Sequence, residues 1–320
     1  MRTRVLTILA ALAAALTLTP AVASATSTLE RPEPLWLTPG LKAQLSTAGA
    51  DGVQVSQEYL NVECPGFQQR GVSAAGCIVA PAGCTANFIF RDASNWYVGT
   101  AAHCTDRTGD TVIMQVDTTT LAEVGTVAKR TAAEEPGQDF ALIRLYPEVV
   151  SKWGVNPQVP FWGGPNGIYT GCDPVMVGHY GHGYGVAVAQ GKPEGGLATN
   201  WHDDGYGWTG AGAPGDSGSP VVLAGDGRAA GNFTHLVVDF GDYPGSTLAG
   251  TRITEILRFA GVELVNADGS TTGYAPSDCG GRTTGGSDGS GAGKDKPKGG
   301  NGHGKDKPKG GNDKGGGKRA

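Results

Sequence analysis

Charge is scarce in this chain of 320 residues: only 17% are Asp, Glu, Lys or Arg, against about a quarter in an average soluble protein. With a formal net charge of −5, it also lacks the basic excess that a phosphate backbone attracts, so composition argues against a nucleic-acid partner. Long apolar runs are missing too. The one near the N-terminus, residues 5–18, is closed by Pro20 and falls short of the roughly 20 residues a membrane span needs; no other segment comes close. None of the six cysteines is spaced C-x-x-C, which leaves zinc-ribbon and thioredoxin-like readings without support.

Glycine, by contrast, is abundant. The 54 glycines are well over twice the usual share of about 7%, and imply many tight turns, a disordered tail, or both. Residues 1–25 combine Arg2 and Arg4 with the apolar run and end in Ala21-Val22-Ala23-Ser24-Ala25, two overlapping A-x-A patterns, the layout of a secretory signal peptide. Export sets an extracellular location and makes disulfides the expected state of the cysteines.

Residues 280–320 contain 16 glycines and no Val, Ile, Leu or aromatic, so they have nothing to bury against the entropy of ordering and are expected to be disordered. Gly-Lys-Asp-Lys-Pro-Lys-Gly-Gly-Asn occurs there twice, from Gly293 and from Gly304. This tail holds ten Lys or Arg and four Asp, whereas residues 26–279 hold 13 Lys or Arg and 26 Asp or Glu. A basic tail on an acidic body could tether the protein to an anionic cell surface; otherwise it is a solvated spacer.

The body is long enough for one large or two small cores. Its apolar stretches, at residues 87–90, 96–100, 111–116, 140–145, 174–177, 186–189, 221–224 and 235–240, are short and bounded by turn formers, which points to an all-β fold. One helical pattern is clear, over 251–260: Ile253, Ile256, Leu257 and Ala260 recur at i, i+3, i+4 and i+7, and Gly261 follows as a stop.

Three segments concentrate chemistry: Thr100-Ala101-Ala102-His103-Cys104, Gln138-Asp139-Phe140-Ala141, and Gly215-Asp216-Ser217-Gly218-Ser219-Pro220. In this order they resemble the trypsin and chymotrypsin family of serine peptidases, and in particular its secreted bacterial, actinobacterial-type members, over about residues 77–260. The resemblance implies two antiparallel six-stranded β-barrels, about 77–165 and 166–250, followed by a C-terminal helix. It implies catalytic roles for His103, Asp139 and Ser217: a serine hydroxyl is a poor nucleophile until a base takes its proton, and a buried carboxylate fixes that base. The backbone N–H groups of Gly215 and Ser217 would form the oxyanion hole.

The family also ties its histidine loop to an upstream strand, which implies a Cys84–Cys104 disulfide. Cys64, Cys77, Cys172 and Cys279 then allow three pairings, with Cys64–Cys77 and Cys172–Cys279 preferred. The resemblance places Thr234 on the triad carboxylate, and puts Ala211, Thr234 and His235 at the pocket for the side chain preceding the scissile bond. Ala211 stands where trypsin-like members carry an aspartate, so a neutral pocket is expected unless His235 reaches in and favours a carboxylate. Asp216 is expected to pair with an internal arginine, and residues 26–76 to be a propeptide or an extension on the barrels.

Several motifs lead nowhere. Gly210-Ala211-Gly212-Ala213-Pro214-Gly215 fits G-x-G-x-x-G, but Pro214 and Pro220 prevent the helix a dinucleotide site requires. His179 and His182 lack the accompanying ligands of a metal site, and neither metal nor other cofactor is expected. The whole reads as a monomeric secreted endopeptidase acting on proteins or peptides. An inactive binding protein on the same fold and an esterase-like acyl hydrolase are the rivals.

Overall fold

In the computed structural model, residues 26–28, 32–132, 135–183, 193–237 and 243–279 are described. The expected signal peptide (1–25), the apolar stretch 186–189 and the tail (280–320) lie outside them. Seven strands make up the first set: β1 (Cys77–Ala80), β2 (Cys84–Thr85), β3 (Ile89–Arg91), β4 (Trp96–Thr100), β5 (Thr111–Gln115), β6 (Thr120–Arg130) and β7 (Ala141–Leu145). Six follow: β8 (Val175–Tyr180), β9 (Pro193–Trp201), β10 (Gly205–Trp208), β11 (Pro220–Leu223), β12 (Ala229–Val237) and β13 (Leu248–Arg252).

The second set closes on itself. It runs antiparallel in the order β12, β11, β8, β9, β10, β13, and β13 pairs back onto β12, giving a six-stranded barrel. Val177, Tyr206, Trp208, Val221, Phe233 and Leu248 fill it. The first set, extended by Glu263–Val265 and Thr271–Thr272, forms an antiparallel path from β3 through β4, β7, β6, β5 and β1 to β2. No strand pair joins the ends of that path among the described residues, so closure is seen in one of the two expected barrels. Its core is Ile78, Ile89, Val98, Val112, Met114, Val124 and Ile143.

The expected helix is present as Ile253–Ala260, with Gly261 in the left-handed conformation at its C-terminus. Residues 251 and 252, which sequence alone assigned to it, complete β13 instead, because their backbone pairs with β10 and β12. Its buried Ile253, Ile256, Leu257 and Ala260 pack with Phe88, Phe90, Phe140 and Leu142, each large apolar side chain contributing about 1.5–3 kcal/mol. It is not a lone helix, as the sequence pattern implied. Pro39–Ala48, Gln57–Glu63 and Pro147–Trp153 are also helical; each is short with few buried residues, so its apolar period is weak.

Residues 32–76 pack on the first sheet. Leu37, Leu45, Leu60 and Phe67 cluster with Val79, Ile113 and Leu121, and Val53–Gln54 adds to β6. Disulfides join Cys64 to Cys77, Cys84 to Cys104 and Cys172 to Cys279. No helix among the described residues is long and apolar enough to cross a membrane.

Candidate active site

β4 ends at Thr100, and the chain turns through a 3-10 segment, Ala102–Cys104, that carries His103. Asp139 stands just before β7 with no exposed surface. One of its carboxylate oxygens, Oδ1, accepts the backbone N–H groups of Ala102 (2.5 Å) and His103 (3.1 Å), and the other, Oδ2, meets His103 Nδ1 at 2.5 Å. Both oxygens are thus committed to the histidine turn, which fixes the imidazole with Nδ1 protonated and Nε2 as its basic nitrogen. The second barrel grips Asp139 from behind. Thr251 Oγ1 accepts its N–H (3.1 Å), and Asn232 Nδ2 donates to its carbonyl (3.1 Å). Arg130 braces the histidine turn by donating to the Ala102 carbonyl.

Ser217 lies in the loop before β11, and the loop is shaped by Asp216. The Asp216 carboxylate accepts N–H groups from Gly183 (2.6 Å) and Ala213 (2.8 Å). A Cβ at Gly183 would run into that carboxylate. Gly215 and Gly218 have φ of 104° and 90°, in the region that favours glycine. A Cβ at Gly218 would overlap the Thr85 carbonyl and the Thr100 hydroxyl, so the serine loop lies directly against the end of β4.

Thr85, which the sequence reading missed, clamps this contact. Its N–H donates to the Ser217 carbonyl (2.9 Å) and its hydroxyl to the Gly215 carbonyl (2.8 Å). The Ser217 carbonyl is also 3.8 Å from Cys104 Sγ, in the disulfide next to His103. The histidine, aspartate and serine segments therefore meet in one place.

The residues assigned to the substrate pocket are spread more widely. Ala211 is exposed, and its carbonyl accepts a hydrogen bond from His179 Nε2 at 3.1 Å. The Thr234 hydroxyl donates to the Ala249 carbonyl (3.2 Å) and meets His235 Nδ1 at 2.8 Å; the Thr234 carbonyl accepts from Ser217 Oγ at 3.5 Å. His235 is 2% exposed, with Nδ1 3.8 Å from Asp139 Oδ2 and its ring edge-on to His103, centroids 5.8 Å apart.

Burial holds the His179 pKa down to about 4 from 6.5, although the bond to Ala211 opposes the shift. The folded pKa lies below the unfolded one, so between these values the unfolded chain binds the additional proton. Stability due to His179 is present above about pH 6.5 and falls by about 3 kcal/mol towards pH 4. Denaturant titrations at pH 7 and pH 4.5 should show a smaller acid-induced loss in His179→Gln than in the parent. Equal losses would remove His179 as the titrating group.

Among the described residues, Cys84, His103 and Cys104 form a cluster at metal-ligand distances. The two cysteines are joined in a disulfide, which leaves no thiolate to hold an ion. Their proximity reflects how the bond pins the histidine turn.

No family model matches this chain, and no curated protein matches it. Solved bacterial serine proteases of the chymotrypsin-like kind do. A glutamic-acid-specific serine protease is 19% identical with a TM-score of 0.41, over 60% of this chain and 98% of that one. Protease A of Thermobifida fusca is 18% identical with a TM-score of 0.39, over 61% and 98%. A Nocardiopsis protease is 16% identical with a TM-score of 0.41, over 60% and 97%.

Proposed function

We propose that this chain is an exported serine endopeptidase that cleaves peptide bonds by acyl transfer, with Ser217 as nucleophile, His103 as general base and Asp139 as the carboxylate that orients it. The observation that carries this reading is the commitment of both Asp139 oxygens to the His103 turn, at 2.5 Å from Nδ1. A histidine held in one tautomer beside a glycine-bounded serine loop is equipped for proton transfer. Ser217 Oγ attacks the carbonyl carbon as its proton passes to His103 Nε2. The developing oxyanion is received by the N–H groups of Gly215 and Ser217. His103 then gives the proton to the leaving amine, and water, activated by the same nitrogen, releases the acyl group from Ser217.

A peptide substrate suits the edge of β12 that β11 leaves unpaired. β11 pairs with β12 only as far as Asn232, and beyond it residues 235–237 accept an added antiparallel strand, Thr26–Thr28 of the chain itself. Extended peptides bind sheet edges in this way, so a substrate using the edge displaces that segment. The three disulfides agree with export, as does the sequence of residues 1–25.

The pocket for the residue before the scissile bond is assigned to the segment around Ala211, and residues 208–213 themselves carry no carboxylate for a cationic side chain. An uncompensated buried charge there would cost several kcal/mol. With the purified chain and a peptide library of varied sequence, cleavage should follow apolar or small residues. Dominant cleavage after Lys or Arg would contradict the pocket assignment, and absence of any peptide cleavage would contradict the function.

A further inference from the structure

The resemblance implied that the Thr234 hydroxyl would support the triad carboxylate. In the structure that hydroxyl points elsewhere, and an imidazole lies near the carboxylate instead. We propose that His235 is a positioning residue of this site: its Nδ1–H, anchored on Thr234 and facing Asp139, and its ring, set against His103, keep carboxylate and base in their working orientation. This inference rests on the serine-hydrolase reading of the site.

The tautomer follows from the hydrogen bonds. The Thr234 hydroxyl has one proton and gives it to the Ala249 carbonyl at 3.2 Å. It can therefore meet His235 Nδ1, at 2.8 Å, only as an acceptor. In that arrangement His235 Nδ1 carries a proton, and this nitrogen lies 3.8 Å from Asp139 Oδ2. That oxygen is the one His103 Nδ1 contacts. Two imidazoles therefore address one carboxylate oxygen, the nearer by a short hydrogen bond and the farther from 3.8 Å.

The ring does a second task. It packs at 64° to the His103 ring with centroids 5.8 Å apart, and both side chains are 2% exposed, so His103 has little room to swing away from Asp139. Thr234 completes a connected path, because its carbonyl accepts from Ser217 Oγ while its hydroxyl anchors His235.

Among the described residues, the titratable groups facing His235 are few. Asp139 comes from the segment before β7, and His103 from the 3-10 turn. Arg130 of β6 stands behind that turn on the Ala102 carbonyl. β13 pairs opposite with uncharged Ala249 and Leu248, and its Arg252 is turned to the carbonyls of Thr170, Gly171 and His202. The added strand pairs Thr28 with His235.

The test uses the full chain with His235→Phe, which keeps a ring and removes the N–H, and His235→Gln, which restores a donor. His235→Phe should lower kcat about tenfold, less than the roughly hundredfold of a displaced reacting group, with KM within about twofold. The acid limb of its kcat/KM profile should move to higher pH, because Oδ2 without the second N–H favours the His103 imidazolium more strongly. His235→Gln should recover part of both. Packing alone would leave the acid limb in place, and a role in the substrate pocket would change KM with kcat intact; either result overturns the proposal.

The proton NMR signal of His103 Nδ1–H gives a readout independent of turnover, and it should shift in His235→Phe. An unchanged signal overturns the proposal even if the parent proves inactive. Failure of the parent to hydrolyse peptides or to take a fluorophosphonate label, with the NMR shift present, would instead remove the hydrolase reading.

Discussion

Ser217→Ala is expected to abolish hydrolysis, with a loss in kcat on the order of a millionfold, while the chain stays folded. In the proposed reaction this hydroxyl forms the acyl intermediate, so its removal takes away the group that attacks the carbonyl carbon. Its structural role is small. Its hydrogen bond to the Thr234 carbonyl is long, at 3.5 Å, and a neutral bond of this kind contributes about 1 kcal/mol or less. The loop around it is held by backbone contacts to Thr85 and by the Asp216 carboxylate, none of which the substitution removes. Turnover of a small peptide and the thermal midpoint should be measured together. A midpoint within a few degrees and no turnover is the expected pair, and turnover within tenfold of the parent would refute the nucleophile assignment.

Asp139→Asn should lower kcat by about ten-thousandfold with little change in KM, the scale seen when a triad carboxylate becomes an amide. Asparagine can still offer one oxygen to the N–H groups of Ala102 and His103, so the turn should keep its shape. The other position becomes an NH2 group, which can only donate. It therefore pairs with a His103 nitrogen that has no proton, and the remaining proton sits on Nε2, where the base is needed. Crystal structures or NMR of the variant should find the turn in place and the tautomer reversed. A loss of less than tenfold would mean that Asp139 does not orient the base.

Three chemical segments were legible in the sequence, and so was the mostly β character of the fold. His103, Asp139 and Ser217 are legible because each lies in a short, specific segment, and the structure brings those segments together through Thr85, Gly218 and the Cys84–Cys104 bond. Thr85, Asn232 and Thr251 were not legible. Their side chains reach Gly215 and Asp139, 93 to 130 positions away, and no local pattern marks such a partner.

The strands divide in the same way. Trp96–Thr100 reads directly from its apolar run, whereas Gly205–Trp208 and much of β9 are rich in glycine and read as turns. Glycines in this sheet are required by close backbone approach. A Cβ at Gly196 would overlap the Thr209 carbonyl, and one at Gly231, where φ is 156°, would overlap the Thr251 carbonyl. β12 likewise begins at Ala229 rather than 235, because its first half is Ala-Ala-Gly-Asn, with no apolar alternation, and is ordered by pairing on both sides.

Whether Ser217 is a nucleophile activated by His103 is decided by mass spectrometry of the labelled site. The purified chain is treated with a fluorophosphonate at neutral pH, digested, and its peptides mapped. One adduct is expected, on Ser217, abolished by Ser217→Ala and strongly slowed by Asp139→Asn. An adduct on another residue, or no adduct from a chain that hydrolyses peptides, would contradict that role.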